Sequence, residues 1–419
     1  MNIFEEVESE VRSYCRSFPA LFARGEGCRL YDQDNVAYLD FFAGAGALNY
    51  GHNPPAMKKR LLEYIEGNGI THGLDMATVA KGRFLQKFRD TILQPRNMHY
   101  KVQFPGPTGT NAVESALKLA RKVTGREKIL FFTQAFHGMT LGSLSISGNM
   151  FKREGAGLPL TNTICMPYDG YFGEEIDTIE YIDRMLESTG SGVDLPAAAI
   201  VETIQAEGGL NSASRQWLEG LQALCRKYDM LLIVDDIQAG CGRAGTFFSF
   251  ENMNLEPDVV CLSKSISGYG LPMALCLIRP DLDIWEPGEH NGTFRGNNLA
   301  FITATEALHH WESGAFSADI LRKGRLAEQR LRELEESFPE LIDGVRGRGL
   351  LLGIVLRDKD MGSQLSKSCF QSRLLIETSG ADSDVLKLLP PLIIDDESLE
   401  KGLDIIEDRV SAMAGNVLV

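Results

Sequence analysis

Short apolar runs alternate with longer amphipathic segments through the middle of the chain. The runs are rich in Val, Ile and Leu and span residues 129–132, 197–201, 231–234, 259–262 and 274–278. Between them, apolar residues recur at helical spacing, most clearly over residues 112–123 and 217–228. Strands that alternate with helices are typical of a sheet whose strands are mostly parallel. The pattern therefore predicts an α/β fold between about residues 100 and 280.

The two ends of the chain show a different pattern. Residues 4–18 place apolar side chains at roughly helical spacing, which predicts an amphipathic N-terminal helix. Residues 29–40 hold two strand-like runs around a polar turn, which predicts a hairpin. Near the C-terminus we expect a helix over 320–338, a strand over 349–356 and a last helix over 399–413.

These patterns favour two domains. The large one is predicted to span residues 50–300 and to hold the mostly parallel sheet. The small one is predicted to be a discontinuous α+β domain formed by residues 1–49 and 301–419. A chain of 419 residues with 44% hydrophobic residues is long enough to bury a core in each.

The composition of the chain limits the classes of partner that it is expected to bind. The chain has 42 basic and 57 acidic residues, which gives a formal charge of −15. Because nucleic acids and anionic membranes bind basic surfaces, this charge argues against both as the main partner. The acidic N-terminus lacks the pattern of a signal peptide, and no apolar run reaches the roughly 18 residues of a membrane span. The eight scattered cysteines favour reduced thiols over disulfides or a metal site. We expect a cytoplasmic protein that binds small molecules and no metal.

Lys264 is the most informative residue for chemistry. It follows the apolar run 259–262 and begins a turn of small residues, 265–270. A lysine in a partly desolvated position has a lowered pKa, so more of its amine is neutral and nucleophilic. An ordinary solvated lysine at the start of a loop would show the same pattern, so the surrounding motifs decide between the two.

A glycine- and hydroxyl-rich turn, 106–111, leads directly into a predicted helix. The free N–H groups of a helix N-terminus bind phosphate, and Gly109 and Thr110 are the candidates here. An ordinary helix cap is the alternative. The second Thr/Gly/Asn loop, 292–298, could bind a ligand through Thr293 or could be a plain turn.

Two further candidates follow predicted strands. Phe136 comes shortly after the run 129–132 and could stack on a flat ring, although it could equally be a core residue. Asp235 ends the run 231–234, where parallel sheets place ligand-binding groups, and a protonated pyridine nitrogen would compensate its charge. A structural salt bridge is the alternative for Asp235. Together, the lysine, the acid, the aromatic ring and the phosphate turn are what pyridoxal 5'-phosphate requires.

The chain resembles the class III aminotransferases of fold type I over nearly its whole length. The landmarks are the segments 38–40, 51–54, 108–110, 136–138, 202–209, 235–238, 263–264 and 346–349. Within that class, the segments 41–46, 262–274, 290–298 and 377–380 are similar to the branch that transfers the amino group of L-glutamate to L-aspartate 4-semialdehyde, giving L-2,4-diaminobutyrate, as in ectoine biosynthesis.

The resemblance implies a role for each candidate. Lys264 would carry the covalent link to the coenzyme and then move the proton, and Asp235 would pair with the pyridinium nitrogen. The coenzyme would also contact Gln238 through its ring hydroxyl, Phe136 through its ring face, and Gly109 and Thr110 through its phosphate. Thr293 would reach the phosphate from the second subunit of a homodimer.

The substrate end departs from the pattern of the class. Glu207 matches a glutamate that often pairs with an arginine and moves aside for the substrate carboxylate. Many relatives have an arginine that binds the substrate carboxylate where this chain has Lys387, and a lysine cannot make the planar, two-point contact of a guanidinium. Arg295, which replaces a usual glycine, is therefore a further candidate for binding the carboxylate.

Other functions remain open from the residues alone. A different class III reaction, such as an ornithine- or 4-aminobutyrate-type ω-transamination, an aminomutase or a decarboxylase, would use the same residues. A binding protein that has lost activity is a third possibility, and the intact Lys264, Asp235 and phosphate turn argue against it.

Overall fold

The structure is a computed structural model that describes residues 3–417. Its α-helices are α1 (Ile3–Val7), α2 (Tyr14–Ser17), α3 (Ala43–Gly46), α4 (Pro55–Glu66), α5 (Val79–Phe88), α6 (Gly109–Thr124), α7 (Leu141–Ser145), α8 (Met150–Glu154), α9 (Thr178–Glu187), α10 (Arg215–Lys227), α11 (Asn298–Ala307), α12 (Ala315–Ser337), α13 (Lys359–Gln371) and α14 (Asp396–Val417). None of these helices is long and apolar enough to cross a membrane.

The strands group into three larger sheets and one short pair. They are β1 (Phe22–Glu26), β2 (Arg29–Asp32), β3 (Ala37–Asp40), β4 (Lys101–Gln103), β5 (Ile129–Phe132), β6 (Thr163–Met166), β7 (Ala198–Val201), β8 (Ile204–Gln205), β9 (Asn211–Ser212), β10 (Leu231–Asp235), β11 (Val259–Leu262), β12 (Leu275–Ile278), β13 (Ile342–Arg348), β14 (Leu351–Leu356), β15 (Leu374–Leu375), β16 (Glu377–Ser379) and β17 (Val385–Leu388).

The central sheet has seven strands in the order β4-β12-β11-β10-β7-β5-β6. Strands β11, β10, β7, β5 and β6 run parallel, and β12 is antiparallel to both of its neighbours. The five predicted runs are strands of this sheet, and every residue of β5, β7, β10, β11 and β12 is buried. Continuous apolar strands are needed here because helices cover both faces of a parallel sheet. The predicted α/β fold is confirmed.

The ends of the chain build the other two large sheets. One has the order β1-β2-β3-β15 and contains the predicted hairpin, β2 with β3. The other has the order β13-β14-β17-β16. Helices α12 and α14 pack on this part of the molecule through apolar side chains that include Leu331, Leu403 and Ile406. The predicted C-terminal helices and strand are therefore confirmed.

The single N-terminal helix predicted over residues 4–18 is wrong. The chain there forms two short helices, α1 and α2, neither of which buries a residue. Val7 is 73% exposed and Val11 is 88% exposed, so the middle of the apolar stripe is not packed on the described part of the chain, whereas Phe18 at its end is buried. A helix of this length is marginal without such packing, which explains why the periodic pattern does not produce one continuous helix.

Arg243 joins the central sheet to the segments from both chain ends. Its side chain is fully buried, and its guanidinium donates to the carbonyl groups of Leu350 (3.1 Å) and Pro390 and to Oδ1 of Asn49 (2.6 Å). Because Arg243 lies shortly after β10, these bonds bring the segments around residues 49 and 390 close to the carboxyl edge of the central sheet. The candidate site lies at this junction.

Candidate active site

Lys264 lies directly beyond the end of β11 in an unusual backbone conformation. Its φ of 52° is in the left-handed region, which a side chain with a Cβ rarely adopts. Burial lowers the pKa of its amine, opposed in part by the negative charge of Glu207. Among the described residues, none hydrogen-bonds or ion-pairs with this amine. The structure thus holds a buried lysine whose nitrogen is available for chemistry.

Asp235 ends β10, the strand beside β11, and its side chain is only 5% exposed. One carboxylate oxygen lies 2.7 Å from Nδ1 of His137, and the other accepts the N–H of Ile237 at 3.1 Å. Burial opposes a charge on His137, but the hydrogen bond to Asp235 and its charge outweigh burial and raise the pKa of His137. The neighbouring His137, which the sequence prediction missed, therefore orients this carboxylate.

Glu202 adds a second acid that the sequence prediction also missed. It is buried, and its carboxyl group accepts the backbone N–H of Phe136 at 3.0 Å. Burial raises the pKa of Glu202 to about 8, so this side chain is mostly protonated at neutral pH. Glu202 thereby fixes the backbone of Phe136 without adding a full negative charge next to Asp235.

Phe136 is half-buried, and the ammonium group of a lysine lies over its ring. The Nζ atom of Lys152 lies 4.1 Å from the ring centroid, which is the geometry of a cation–π contact. Lys152 belongs to α8 and was not among the residues predicted from the sequence.

The turn before α6 contains the helix cap that the sequence left open as an alternative to phosphate binding. Thr108 forms a capping box with Asn111, and Gly109 and Thr110 are the first two residues of the helix. The hydroxyl of Thr110 lies 2.7 Å from that of Thr140 and 2.8 Å from that of Ser143. A Cβ atom at Gly109 would come within 3.0 Å of Ile237, two residues beyond Asp235. The turn thus packs next to the loop that follows Asp235.

Lys387 lies in β17 with its side chain fully buried between two carboxylates. Its Nζ donates to Glu207 at 2.7 Å and lies 3.0 Å from Glu377, its cross-strand neighbour on β16. Burial opposes the charge on Lys387, but the two carboxylates outweigh it and raise the pKa of Lys387. Burial likewise opposes the charge on Glu207, yet Lys387 lowers the pKa of Glu207 to about 2. The two residues, predicted separately as candidates for substrate binding, therefore belong to one three-residue ion cluster with Glu377.

Gln238 connects this cluster to the residues after β10. Its side-chain amide donates to the carbonyl of Ala45 at 2.8 Å, and its oxygen lies 3.5 Å from Nζ of Lys387. The charges of Glu207, Lys387, Glu377 and Asp235 all act on Lys264. Of the predicted residues, the structure therefore brings Asp235, Glu207 and Lys387 close to Lys264, with Gln238 beside Lys387.

Two predicted residues lie elsewhere on this chain. Arg295 donates to Asn291 at 3.1 Å and lies 3.9 Å from Asp75, and it has no contact with the ion cluster among the described residues. Thr293 is exposed. Its predicted role on a second subunit stays a prediction.

These residues fit pyridoxal 5'-phosphate. Lys264 offers a buried amine without a partner in the described part of the chain, and Asp235 offers a buried carboxylate that no lysine or arginine there neutralises. The start of α6 offers backbone N–H groups for a phosphate. An amine, an acid and an anion site are the three groups that this coenzyme needs from a protein.

Comparison with known proteins agrees with this chemistry. The family profile of the class III aminotransferases matches residues 12–410. The chain is 58% identical to a diaminobutyrate–2-oxoglutarate transaminase from Halalkalibacterium halodurans over 99% of this chain and 97% of that one. It is also 58% identical to one from Streptomyces avermitilis, with 96% of each chain covered.

A solved structure is similar over the same extent. The ornithine aminotransferase from Toxoplasma gondii superposes with a TM-score of 0.85 at 26% identity, covering 99% of this chain and 94% of that one. In that crystal structure, pyridoxal phosphate partly occupies the active site.

Proposed function

The chain belongs to the class III aminotransferases, which use pyridoxal phosphate, and from that premise we propose the reaction it catalyses. L-Glutamate and L-aspartate 4-semialdehyde are converted to 2-oxoglutarate and L-2,4-diaminobutyrate. The amino group leaves the α-carbon of glutamate and ends on the terminal carbon of the semialdehyde, so atoms and charges balance without another reactant.

The choice of substrates rests on the extent of the similarity. Two relatives named for diaminobutyrate and 2-oxoglutarate each share 58% of their residues with this chain over nearly the whole length of both. The observation that carries the chemistry itself is the buried, unpartnered amine of Lys264 beside the carboxylate of Asp235.

We propose the following contacts to the coenzyme. Lys264 holds it covalently, Asp235 faces its ring nitrogen, and Phe136 lies against its ring. Gly109 and Thr110 bind its phosphate through the start of α6, and Gln238 lies near its ring hydroxyl. When bound, the coenzyme supplies an aldehyde that accepts the amino group and a ring that withdraws electrons.

Lys264 then serves as the acid–base group. Burial lowers the pKa of its amine, which increases the neutral fraction that a general base requires. Burial also excludes water from this proton transfer. The carboxylate of Asp235 is held by His137 and Ile237, so it does not have to reorient during the reaction.

Glu207 and Lys387 form the part of the cleft that receives the substrate. If Lys387 moved away, the carboxylates of Glu207 and Glu377 would both lose their counter-charge. Glu207 is 20% exposed and is the more accessible member of the cluster. We propose that Glu207 yields its place at Lys387 when a substrate carboxylate binds. Arg295, which lies apart from the cluster on this chain, stays a candidate only from a neighbouring subunit.

The test is a coupled assay of the purified holoenzyme. We expect rapid formation of glutamate from diaminobutyrate and 2-oxoglutarate, and kcat/KM lower by about 100-fold or more for ornithine and 4-aminobutyrate. If ornithine or 4-aminobutyrate is used and diaminobutyrate is not, the substrate assignment is wrong while the class of reaction stands. Lys264→Ala should abolish turnover and still allow coenzyme to bind. Lys401→Met, a change at an exposed lysine of α14, is the matched control.

A further inference from the structure

The substrates of the proposed reaction carry carboxylates, and Lys387 is already paired with two. Glu207 and Glu377 lie 2.7 Å and 3.0 Å from its ammonium group. Displacing Glu207 makes room for a substrate carboxylate, but Glu377 remains and keeps Lys387 neutralised. A diacid such as glutamate therefore needs a second cation in the cleft.

Lys152 is a cation that has no such partner. Among residues 3–417, no carboxylate forms an ion pair with Lys152, and its ammonium group contacts only the ring of Phe136, at 4.1 Å from the centroid. In a half-buried position this contact is weaker than a charge-assisted hydrogen bond to a carboxylate. Lys152 can therefore exchange the ring for an anionic ligand without leaving a charge unpaired.

The position of Lys152 is fixed by its neighbour in α8. Arg153 donates to the carbonyl groups of Leu144, Ser145 and Ser147 at 3.1, 3.1 and 2.8 Å. Three hydrogen bonds from one guanidinium hold α8 against α7 and the loop that follows it. The backbone of Lys152 is thus held in position with α8, and the flexible end of its side chain can move between the Phe136 ring and the cleft.

Lys152 also borders the ion cluster. Burial opposes the charge on Glu207, while the charges of Lys387, Lys264 and Lys152 lower the pKa of Glu207. Lys152 therefore lies close enough to Glu207 for their charges to interact. Phe136 on one side and Glu207 on the other define where a ligand of Lys152 must lie.

We propose that Lys152 binds a carboxylate of the substrate and is the cation that the cleft provides in addition to Lys387. Its ligands are amino and oxo acids with a free carboxylate, and the inference rests on the proposed function for the identity of those acids. Lys152 thereby provides part of the carboxylate binding that an arginine at position 387 would provide.

The test compares ligands with and without a carboxylate. Glutarate, a five-carbon diacid that cannot react, is titrated calorimetrically into the holoenzyme and into the Lys152→Met, Lys152→Arg and Lys401→Met variants. Loss of the cation should weaken glutarate binding about tenfold or more, whereas Lys152→Arg and Lys401→Met should stay within about threefold. In the assay, Lys152→Met should raise KM for 2-oxoglutarate and diaminobutyrate about tenfold with little change in kcat.

The decarboxylated diamine separates binding from structure. The rate at which 1,3-diaminopropane converts the bound coenzyme in the absence of 2-oxoglutarate, followed by coenzyme absorbance, should be the same in wild type and Lys152→Met, since this amine has no carboxylate. Equal losses with both diamines, or unchanged glutarate affinity in Lys152→Met, would overturn the proposal. If wild type fails to use diaminobutyrate, the proposed function fails, and the glutarate titration still decides the role of Lys152.

Discussion

At the scale of single residues, Lys264 combines two features that work against folding. A left-handed backbone costs about 1–2 kcal/mol for a residue with a Cβ, and Lys264 adopts φ 52° in the turn after β11. Burial of its amine adds a desolvation cost that lowers its pKa. Such strain persists where the surrounding structure holds it in place, and it concentrates at functional sites.

Asp235 should be required for the rate and not only for the fold. We expect Asp235→Asn to lower kcat by about 10²–10³-fold, because the buried site loses the fixed charge that faces the reacting ring. The measurement is kcat of the coenzyme-saturated variant. Asp258→Asn is a matched control, since Asp258 is also buried and precedes β11 at the opposite edge of the sheet. Near-normal activity of Asp235→Asn would show that another group has this role.

Glu202 predicts a specific dependence of stability on pH. Its pKa is about 8 in the folded protein, against ~4.3 for an unfolded chain. Between these values the folded state holds the extra proton, so rising pH lowers the free energy of unfolding, by up to about 1.4 kcal/mol per pH unit. The effect is complete above the folded pKa.

Replacement of Glu202 by Gln removes the carboxyl group that binds this proton. Denaturant unfolding should show Glu202→Gln gaining stability relative to wild type as pH rises from about 4.5 to about 8, and no further gain above. His137 contributes in the same direction, since its raised pKa adds stability that is lost as pH rises through the folded value. A difference between the two proteins that does not change with pH would contradict the assignment of Glu202 as a buried neutral acid.

The sequence identified the residues whose position in the chain is itself informative. Lys264 and Asp235 each end or follow a buried strand, and this placement could be inferred from the apolar run before them. His137, Glu202 and Lys152 were missed because their roles arise from contacts across the fold, such as the pair of His137 with a residue 98 positions away. The short motif around Phe136 contained His137, but nothing local indicates what its ring contacts.

At the scale of elements, the ion cluster stabilises the pairing of β16 with β17. Glu377 and Lys387 are direct cross-strand partners in this antiparallel pair, and Glu207 reaches them from the loop between β8 and β9. Buried charges are tolerated here because each faces an opposite charge at 3.0 Å or less. The cluster therefore links two sheets as well as lining the cleft.

Removal of the central cation should destabilise the protein strongly. Lys387→Met leaves two buried carboxylates without a counter-charge, and we expect a loss of about 3–5 kcal/mol in the free energy of unfolding. Lys387→Arg should retain most of the stability, and Lys401→Met should change it by less than about 0.5 kcal/mol. Denaturant unfolding at pH 7 measures all three. A loss as small as that of Lys401→Met would mean that the carboxylates are neutral in the fold.

Element predictions succeeded where the pattern and the packing agree. Strands β5, β10 and β11 are continuous apolar runs in a chain that buries them on both faces, so the runs alone were sufficient. The N-terminal helix failed because periodicity shows an apolar stripe but not whether a partner surface exists for it. Val11, 88% exposed, shows that the described residues supply no such surface for the middle of the stripe, although Phe18 at its end is buried.

At the scale of the whole molecule, exposed apolar side chains lie beside Thr293 and on a segment that contacts its neighbours. The side chains of Ile70, Met76, Val79 and Phe294 are 55–72% exposed, and the ring of Phe294 packs on His72. Apolar surface of this extent on one chain is typical of an interface with another. We propose that these side chains pack against the same side chains of a second copy and bring Thr293 to the partner's site. The division of the chain into a large and a small domain stays a prediction.

A homodimer with shared sites predicts complementation between inactive variants. Light scattering should give twice the chain mass. Lys264→Ala and Thr293→Glu should each be inactive, yet their mixture should recover up to roughly a quarter of wild-type activity, because half of the dimers are hybrids with one intact site each. A fully active monomer, or hybrids without recovered activity, would contradict the shared site.

The central claim is that the amine of Lys264 carries the coenzyme. The most direct measurement is borohydride reduction of the holoenzyme followed by protease digestion and mass spectrometry of the peptides. The account predicts that the coenzyme mass is found on the peptide that contains Lys264, and that Lys264→Ala shows no such label. Label on any other lysine, or none on Lys264 in a protein that binds the coenzyme, would contradict the account.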